Sequence, residues 1–408
     1  MTNPLSTFRS FRFFFFSRMA TTMANQMMMV VVAWQMYDLT HSAYDLGTVG
    51  LAQFLPSLAL ALVVGQVADH FDRRRVLAWC LAGQLLIAAI LIAGTFGGWL
   101  NREAILLCSV GLGAAKAFQL PTQQALGPLL VPPIVLPRAL AISSAGSQFA
   151  IIVGPALGGF LYVAGAGAVY ATSAVLFGAA IAFVLAVKLE QAPDRPQRRE
   201  AVTMQSLFAG ISFIWHRKEV LGAISLDLFA VLLGGATALL PIFAKDILHV
   251  GPWGLGLLRS APAVGALAIS LYLTRHPIQR HVGRVMFGSV AAYGVATLVF
   301  GLSTSFTVSL IALGLSGAFD MVSVVIRQSL VQLDTPNDMR GRVSAVNSIF
   351  IGASNQLGEF ESGVTAGWFG TVPSVIIGSA GTLLVVAAWM KLFPQLTRRE
   401  RLTADPPP

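Results

Sequence analysis

The sequence predicts an all-α membrane protein with twelve transmembrane helices in two six-helix, pseudo-symmetric bundles. Three observations lead there. Hydrophobic residues make up 55% of the 408 and charged residues 11%, whereas a soluble domain carries about 25% charged residues. Apolar runs of the roughly 20 residues needed to cross a bilayer recur along the whole chain. The second half also repeats part of the first.

The first candidate span covers 15–38. Basic residues precede its apolar stretch, as in a signal peptide, but "STFRSFRFFFFSRMATTMANQMMMVVVAW" offers no convincing small-residue cleavage site and runs on too long. It reads as a retained helix. Spans near 43–69, 76–99, 104–130, 139–162 and 165–188 complete an N-terminal bundle over 1–188. The stretch "KLEQAPDRPQRREAVTMQ" is polar and carries two prolines. Together with "SLFAGISFIWHRK", whose apolar residues have helical spacing and whose end is basic, it forms a cytoplasmic linker over 189–218. Its helix is expected to lie on the inner leaflet. A second set of spans near 220–244, 252–274, 283–303, 306–333, 343–369 and 373–393 makes a C-terminal bundle over 219–393. Residues 394–408 form a cytoplasmic tail. Glycine (39) and proline (20) are tolerated within such helices.

The loops carry opposite charge densities. With both termini cytoplasmic, the inside segments hold Arg9, Arg12, Arg18, Arg73, Arg74, Arg75, Arg138, Lys188, Arg195, Arg198, Arg199, Arg217 and Lys218. In the second half they hold Arg275, Arg280, Arg284, Arg340, Arg342, Lys391, Arg398, Arg399 and Arg401. That is 22 of 27 basic residues, against Arg102 and Lys245 outside. The bias sets the orientation. It also accounts for the net charge of +9, so no nucleic-acid partner is needed. The two cysteines, Cys80 and Cys108, lie in apolar segments and read as buried thiols; no disulfide framework, metal site or cofactor is expected.

A shift of 204 residues lays "QQALGPLLVPPIVLPRALAISSAGSQFAIIVGPALGG" over "RQSLVQLDTPNDMRGRVSAVNSIFIGASNQLGEFESG". Gln124 meets Gln328, Leu126 Leu330, Leu129 Leu333, Pro132 Pro336, Arg138 Arg342, Ala141 Ala345, Ser144 Ser348, Gly154 Gly358 and Gly159 Gly363. Two parallel repeats of this kind point to a transporter with its site at their interface.

"GQVADHFDRRRVL", residues 65–77, resembles the loop signature between the second and third helices of major facilitator transporters. Gly65, Asp69, Arg73 and Arg74 match its glycine, acidic and basic positions; Asp72 stands in place of a glycine and His70 in place of a base. "GPALGG", with Gly154, Pro155, Gly158 and Gly159, resembles the helix-five antiporter signature, though Ala150 replaces an upstream glycine. The segment from "RQSLVQLDTPNDMRGRVSAVNS" through "GEFESG" is similar to the enterobactin-exporter branch, which includes macrolide-efflux-type proteins. The resemblance implies the major facilitator fold and a gating contact of Asp69 with the N-terminus of helix eleven. The three glycines also permit close helix approach, and Pro155 favours a kink.

Ionisable groups at depth mark function. From the rise per residue, Asp227 and Arg327 lie roughly 10 Å deep and are expected to pair across spans seven and ten. Lys116 and Asp320 lie about 20 Å deep at positions related by the repeat. Arg259 is near an outer helix end and can snorkel. Glu359 and Glu361 project about 200° apart, so they cannot share one cavity. Glu359 shares a polar stripe with Asn355, Ser362 and Gly352 and is expected to line an aqueous path. Glu361 is expected to be a structural partner of another helix or of the outer surface.

The reading that follows is a secondary transporter, a monomer in a bacterial inner membrane. It exports an amphipathic small molecule (siderophore, drug or related metabolite) against inward proton flow. The open alternatives are a proton-coupled symporter, which only the antiporter-like signature and the branch resemblance oppose, and a non-transport membrane protein. An intramembrane enzyme is disfavoured because all six histidines fall at predicted helix ends or loops, away from any nucleophile at depth.

Overall fold

The computed structural model describes residues 8–60, 63–64, 67, 71–188, 204–336 and 339–402, and no strand occurs among them. The helices are α1 (Arg9–Thr40), α2 (Ala43–Ala59), α3 (Arg73–Gly97), α4 (Arg102–Leu126), α5 (Leu136–Leu161), α6 (Ala166–Ala186), α7 (Met204–His216) and α8 (Lys218–Leu233). Then come α9 (Gly251–Arg275), α10 (Val282–Leu302), α11 (Phe306–Leu333), α12 (Arg340–Phe369), α13 (Thr371–Leu392) and the short α14 (Pro394–Thr397).

Each predicted span coincides with a helix. Among the described residues nine segments are long and apolar enough to cross a membrane by composition alone. The remaining three are α1, α2 and α12. α1 and α12 run 32 and 30 residues but are diluted by Arg18, Asn25, Glu359, Glu361 and other polar groups. The described part of α2 is 17 residues. The large side chains left uncovered are apolar, as on Trp79 (78% exposed), Leu107 (72%) and Leu384 (70%). Such a surface suits lipid and not water.

Local chemistry explains the boundaries. α3 starts where Asp72 Oδ1 accepts from the Arg74 amide at 2.8 Å, and α4 where Asn101 Oδ1 accepts from the Ala104 amide at 2.9 Å; both are N-caps. α6 and α13 each begin after a glycine with the same left-handed geometry, Gly165 (φ 99, ψ 160) and Gly370 (φ 95, ψ 160). A side chain is strained at either position. Their separation of 205 residues (370 − 165) nearly matches the repeat. α8 stops at Gly234, and the chain continues through a 3-10 turn over 236–239, one helical turn over 240–242 and a π turn over 243–247. The seventh span is therefore a broken helix.

Contacts divide the chain into two compact units. The first takes described residues up to His41, those of Leu51–Ala201, and Gly251–Ser260. The second takes Ser42–Gly50, the described part of Val202–Val250, and residues from Ala261 on. These boundaries depart from a simple cut at the linker, since the first turns of α2 and α9 each join the other half of the sequence. The reason is glycine contact. Gly363 and Gly47 approach within the second unit, where a Cβ on Gly363 would sit 2.8 Å from the Ala43 carbonyl oxygen and from Gly47 Cα. Gly159 and Gly256 do the same within the first, with a Gly256 Cβ placed 3.2 Å from Gly159 Cα.

α7 packs in the second unit. A Cβ on its Gly210 would stand 3.0 Å from the Arg342 carbonyl oxygen and from Val346, while Ile214 is buried with Val220, Val343 and Val346. Phe208 and Trp215 are exposed on the helix. The rest of the linker, 189–203, lies outside the described residues.

Candidate functional site

The repeated glycines place the polar groups. In the first unit, a Cβ on Gly154 would meet Gln26 Cβ at 2.6 Å and the Met23 carbonyl oxygen at 3.2 Å, and one on Gly158 would meet Met27 Cα at 3.1 Å, all on α1. In the second unit Gly358 lies on the end of α8, its Cβ position 2.8 Å from the Val231 carbonyl oxygen and 2.9 Å from that of Leu232. Gly154 and Gly358 are repeat partners, as are Gly159 and Gly363. Each pair does the same work in its own unit. Pro155, whose repeat partner is Glu359, presents its carbonyl oxygen to Gly256.

With Gly358 against the end of α8, its neighbour Glu359 reaches the broken part of the seventh span. Thr237 Oγ1 donates to Glu359 Oε1 at 3.5 Å. On the α2 side the carboxylate lies over Gly50, where a Cβ would fall 2.8 Å from Glu359 Oε2 and 3.6 Å from Gln356 Oε1. Glu359 is half-buried. The polar stripe on α12 is thus divided between two neighbours. Gln356 and Glu359 face α2, whereas Ser362 is buried and its Oγ lies 3.0 Å from a Cβ position on Gly235. Asn355 is exposed and donates from Nδ2 to the Ile351 carbonyl oxygen at 2.9 Å.

Glu361 points elsewhere. Its Oε1 accepts from Thr365 Oγ1 at 2.8 Å and its Oε2 from Ser362 Oγ at 3.5 Å. Both partners are on its own helix, and the residue is half-buried.

Deeper in the second unit, Arg327 of α11 forms an ion pair with Asp227 of α8, and its other terminal nitrogen lies 3.9 Å from Asp320. Asp227 and Arg327 are buried, while the Asp320 side chain is 46% exposed. Asp320 therefore keeps a partly exposed carboxylate beside a buried charge pair. Close by, Tyr293 donates to the Gly234 carbonyl oxygen at 3.1 Å, satisfying an acceptor at the break. In the first unit Lys116 Nζ donates to Gln53 Oε1 at 3.0 Å.

Of the loop signature, Gly65 and Asp69 lie outside the described residues. Arg73 donates to the Ala125 carbonyl oxygen at 3.4 Å and Arg74 to that of Val187 at 2.8 Å. Each guanidinium meets the carbonyl-rich end of a helix, a favourable charge–dipole contact. Sequence reasoning placed both in the loop signature and among the inside basic anchors.

Residues 2–406 match the family model described as "Transmembrane secretion effector". The chain is similar to the enterobactin exporter EntS of Citrobacter koseri, with 26% identity over 418 residues covering 99% of this chain and 95% of that protein. It is similar to the staphyloferrin A transporter of Staphylococcus aureus over 179 residues at 26% identity, covering 44% of each. Among solved structures, a bacterial homologue of the human lysosomal transporter Spinster superposes with a TM-score of 0.75 at 13% identity, covering 98% of this chain and 99% of that one. A bacterial homologue of the iron transporter ferroportin gives 0.71 at 17% identity, covering 96% and 99%. The chain is a multi-pass membrane protein with the major facilitator fold, and it belongs to the transmembrane secretion effector family of major facilitator transporters.

Proposed function

We propose that this protein exports an amphipathic small molecule of the siderophore class across a bacterial inner membrane by alternating access, driven by inward proton flow. It works as a monomer with both termini in the cytoplasm. The name of the EntS relative supports the direction, and the names of the EntS and staphyloferrin A relatives support the cargo class. The observation that carries proton coupling is the position of Glu359. It is a half-buried carboxylate facing a glycine on one side and a threonine hydroxyl at a helix break on the other. Discontinuous helices near the midplane are also where transporters of this kind place their sites.

In this reading Asp320 assists, with Arg327 and Asp227 holding its surroundings and Lys116 supplying a cation at the corresponding place in the first repeat. Asn355 lines the cargo path. The test is transport in proteoliposomes with labelled enterobactin as the probe. Glu359→Gln should abolish gradient-driven efflux and preserve energy-independent exchange, because exchange moves no net proton. Glu361→Gln should keep gradient-driven efflux. Uphill efflux intact in Glu359→Gln at normal protein level would sink the assignment and shift it to Asp320 or Asp227.

A further inference from the structure

We propose that a cavity at the base of the second unit, lined by Lys218 and Lys391, binds the phosphate of an anionic phospholipid. The inference goes beyond the export reading and takes from it only the orientation, which puts these residues at the inner leaflet.

The cavity lies between the start of α8 and the end of α13. α8 begins at Lys218, and α13 ends at Leu392 with Lys391 in its last turn. Gly222, one turn into α8, lets the chain after α13 close against that helix. A Cβ there would lie 2.9 Å from the Phe393 ring and 3.0 Å from Leu396 Cδ2, and Leu396 is fully buried. Lys218 and Lys391 thereby line one cavity of about 250 Å³, together with Leu392 and Phe393.

Its charge suits an anion. Both lysines are exposed, and neither takes part in an ion pair among the described residues. Glu219 also lines the cavity. Its carboxylate is already held by Arg399, which bonds Asp334 as well. The acid at the cavity is therefore neutralised from within the fold, while the two ammonium groups are not. The first turn of α8 adds to the effect, since it has no side-chain cap and the amide end of a helix favours negative charge.

Size and surroundings decide which anion. Small-molecule sites run to about 300–1,000 Å³, so this cavity is small for an amphipathic cargo and suits a headgroup. Leu392 is 65% exposed beside Lys391. An apolar neighbour of that kind suits an acyl chain and offers nothing to a free inorganic ion. Basic pockets between membrane helices on the cytoplasmic side are where anionic headgroups bind. Phosphatidylcholine carries the same phosphate beside a cation, which two lysines disfavour.

The test uses the purified full-length protein in a nonionic detergent, titrated with phosphatidylglycerol or with phosphatidylcholine of the same acyl chains. Native mass spectra read the fraction carrying lipid. The wild-type protein should bind phosphatidylglycerol more tightly. Lys218→Gln and Lys391→Gln should each weaken that binding roughly fivefold, the scale of one basic residue at an anionic lipid, and leave phosphatidylcholine binding unchanged. The double variant Lys218→Arg with Lys391→Arg should keep the preference, which separates loss of charge from loss of fold. The control is Arg275→Gln with Arg280→Gln, which removes two exposed inside charges away from the cavity and should leave the preference intact. Equal wild-type affinity for the two lipids overturns the proposal. An equal loss in the control and in Lys218→Gln with Lys391→Gln also overturns it, because the attraction would then be diffuse. Inorganic phosphate is the last probe. If millimolar phosphate displaces the lipid and raises the melting temperature only when both lysines are present, the site belongs to a free phosphate and not to a lipid. Binding is read without transport, so this proposal and the export reading can fail separately.

Discussion

Arg327 on α11 and Asp227 on α8 form an ion pair inside the second unit, with side chains 9% and 11% exposed. Removing one member of a buried pair leaves an uncompensated charge and costs about 3–5 kcal/mol, whereas replacing both can be nearly neutral. Asp227→Asn and Arg327→Gln should each lower protein level and thermal stability in detergent, and the double variant should recover much of the loss. Additive single and double defects would show that the two act independently.

Gly50 leaves the space that Glu359 occupies. Gly50→Ala puts a methyl carbon 2.8 Å from Glu359 Oε2, closer than van der Waals contact allows, and should reduce gradient-driven efflux by displacing the carboxylate. Gly83→Ala is the control, since a Cβ there meets nothing within 4 Å. Equal activity of the two variants would mean that the carboxylate can move at no cost to coupling.

Arg399 ties the C-terminal segment to the base of the second unit. Its guanidinium bonds both Asp334 oxygens, at 2.6 and 2.8 Å, and also Glu219. Burial by itself would lower its pKa, but hydrogen bonds and charge from Asp334 and then Glu219 outweigh it and hold the guanidinium above its ordinary value. Arg399→Gln should release residues 394–402 to limited proteolysis and lower the melting temperature by a few degrees. Arg398→Gln, one residue away, should do neither.

Orientation follows from charge. Tags at either terminus or within 190–200 should be accessible only from the cytoplasm, given 22 inside basic residues against two outside. Labelling of any of these places from the periplasm would reverse the topology.

Much of the fold was legible along the chain. Hydropathy is a local sum, so each apolar run reports its own solvent, and every predicted span has a helix. α1 and α12 were legible by position although their polar residues dilute them below a plain apolar span. The repeat was also visible, as the pairs Gly154/Gly358 and Gly159/Gly363 meet corresponding partners in the two units. Helix rotation was harder to read. The stripe drawn through Asn355, Glu359 and Ser362 does not share one environment: Glu359 lies between Gly50 and Thr237, Ser362 approaches Gly235, and Asn355 is exposed.

What the sequence by itself determined is the solvent, the spans, the asymmetry of charge across the membrane and the two-fold repetition. All of these are properties of neighbouring residues or of composition. Only the tertiary structure decided that Gly50 is the residue opposite Glu359, that the seventh span breaks beside it, and that Arg18 meets Ser143. Those facts depend on which small residues let two backbones approach. Such contacts join positions as far apart as 309 in the chain (359 − 50), and no local sum contains them.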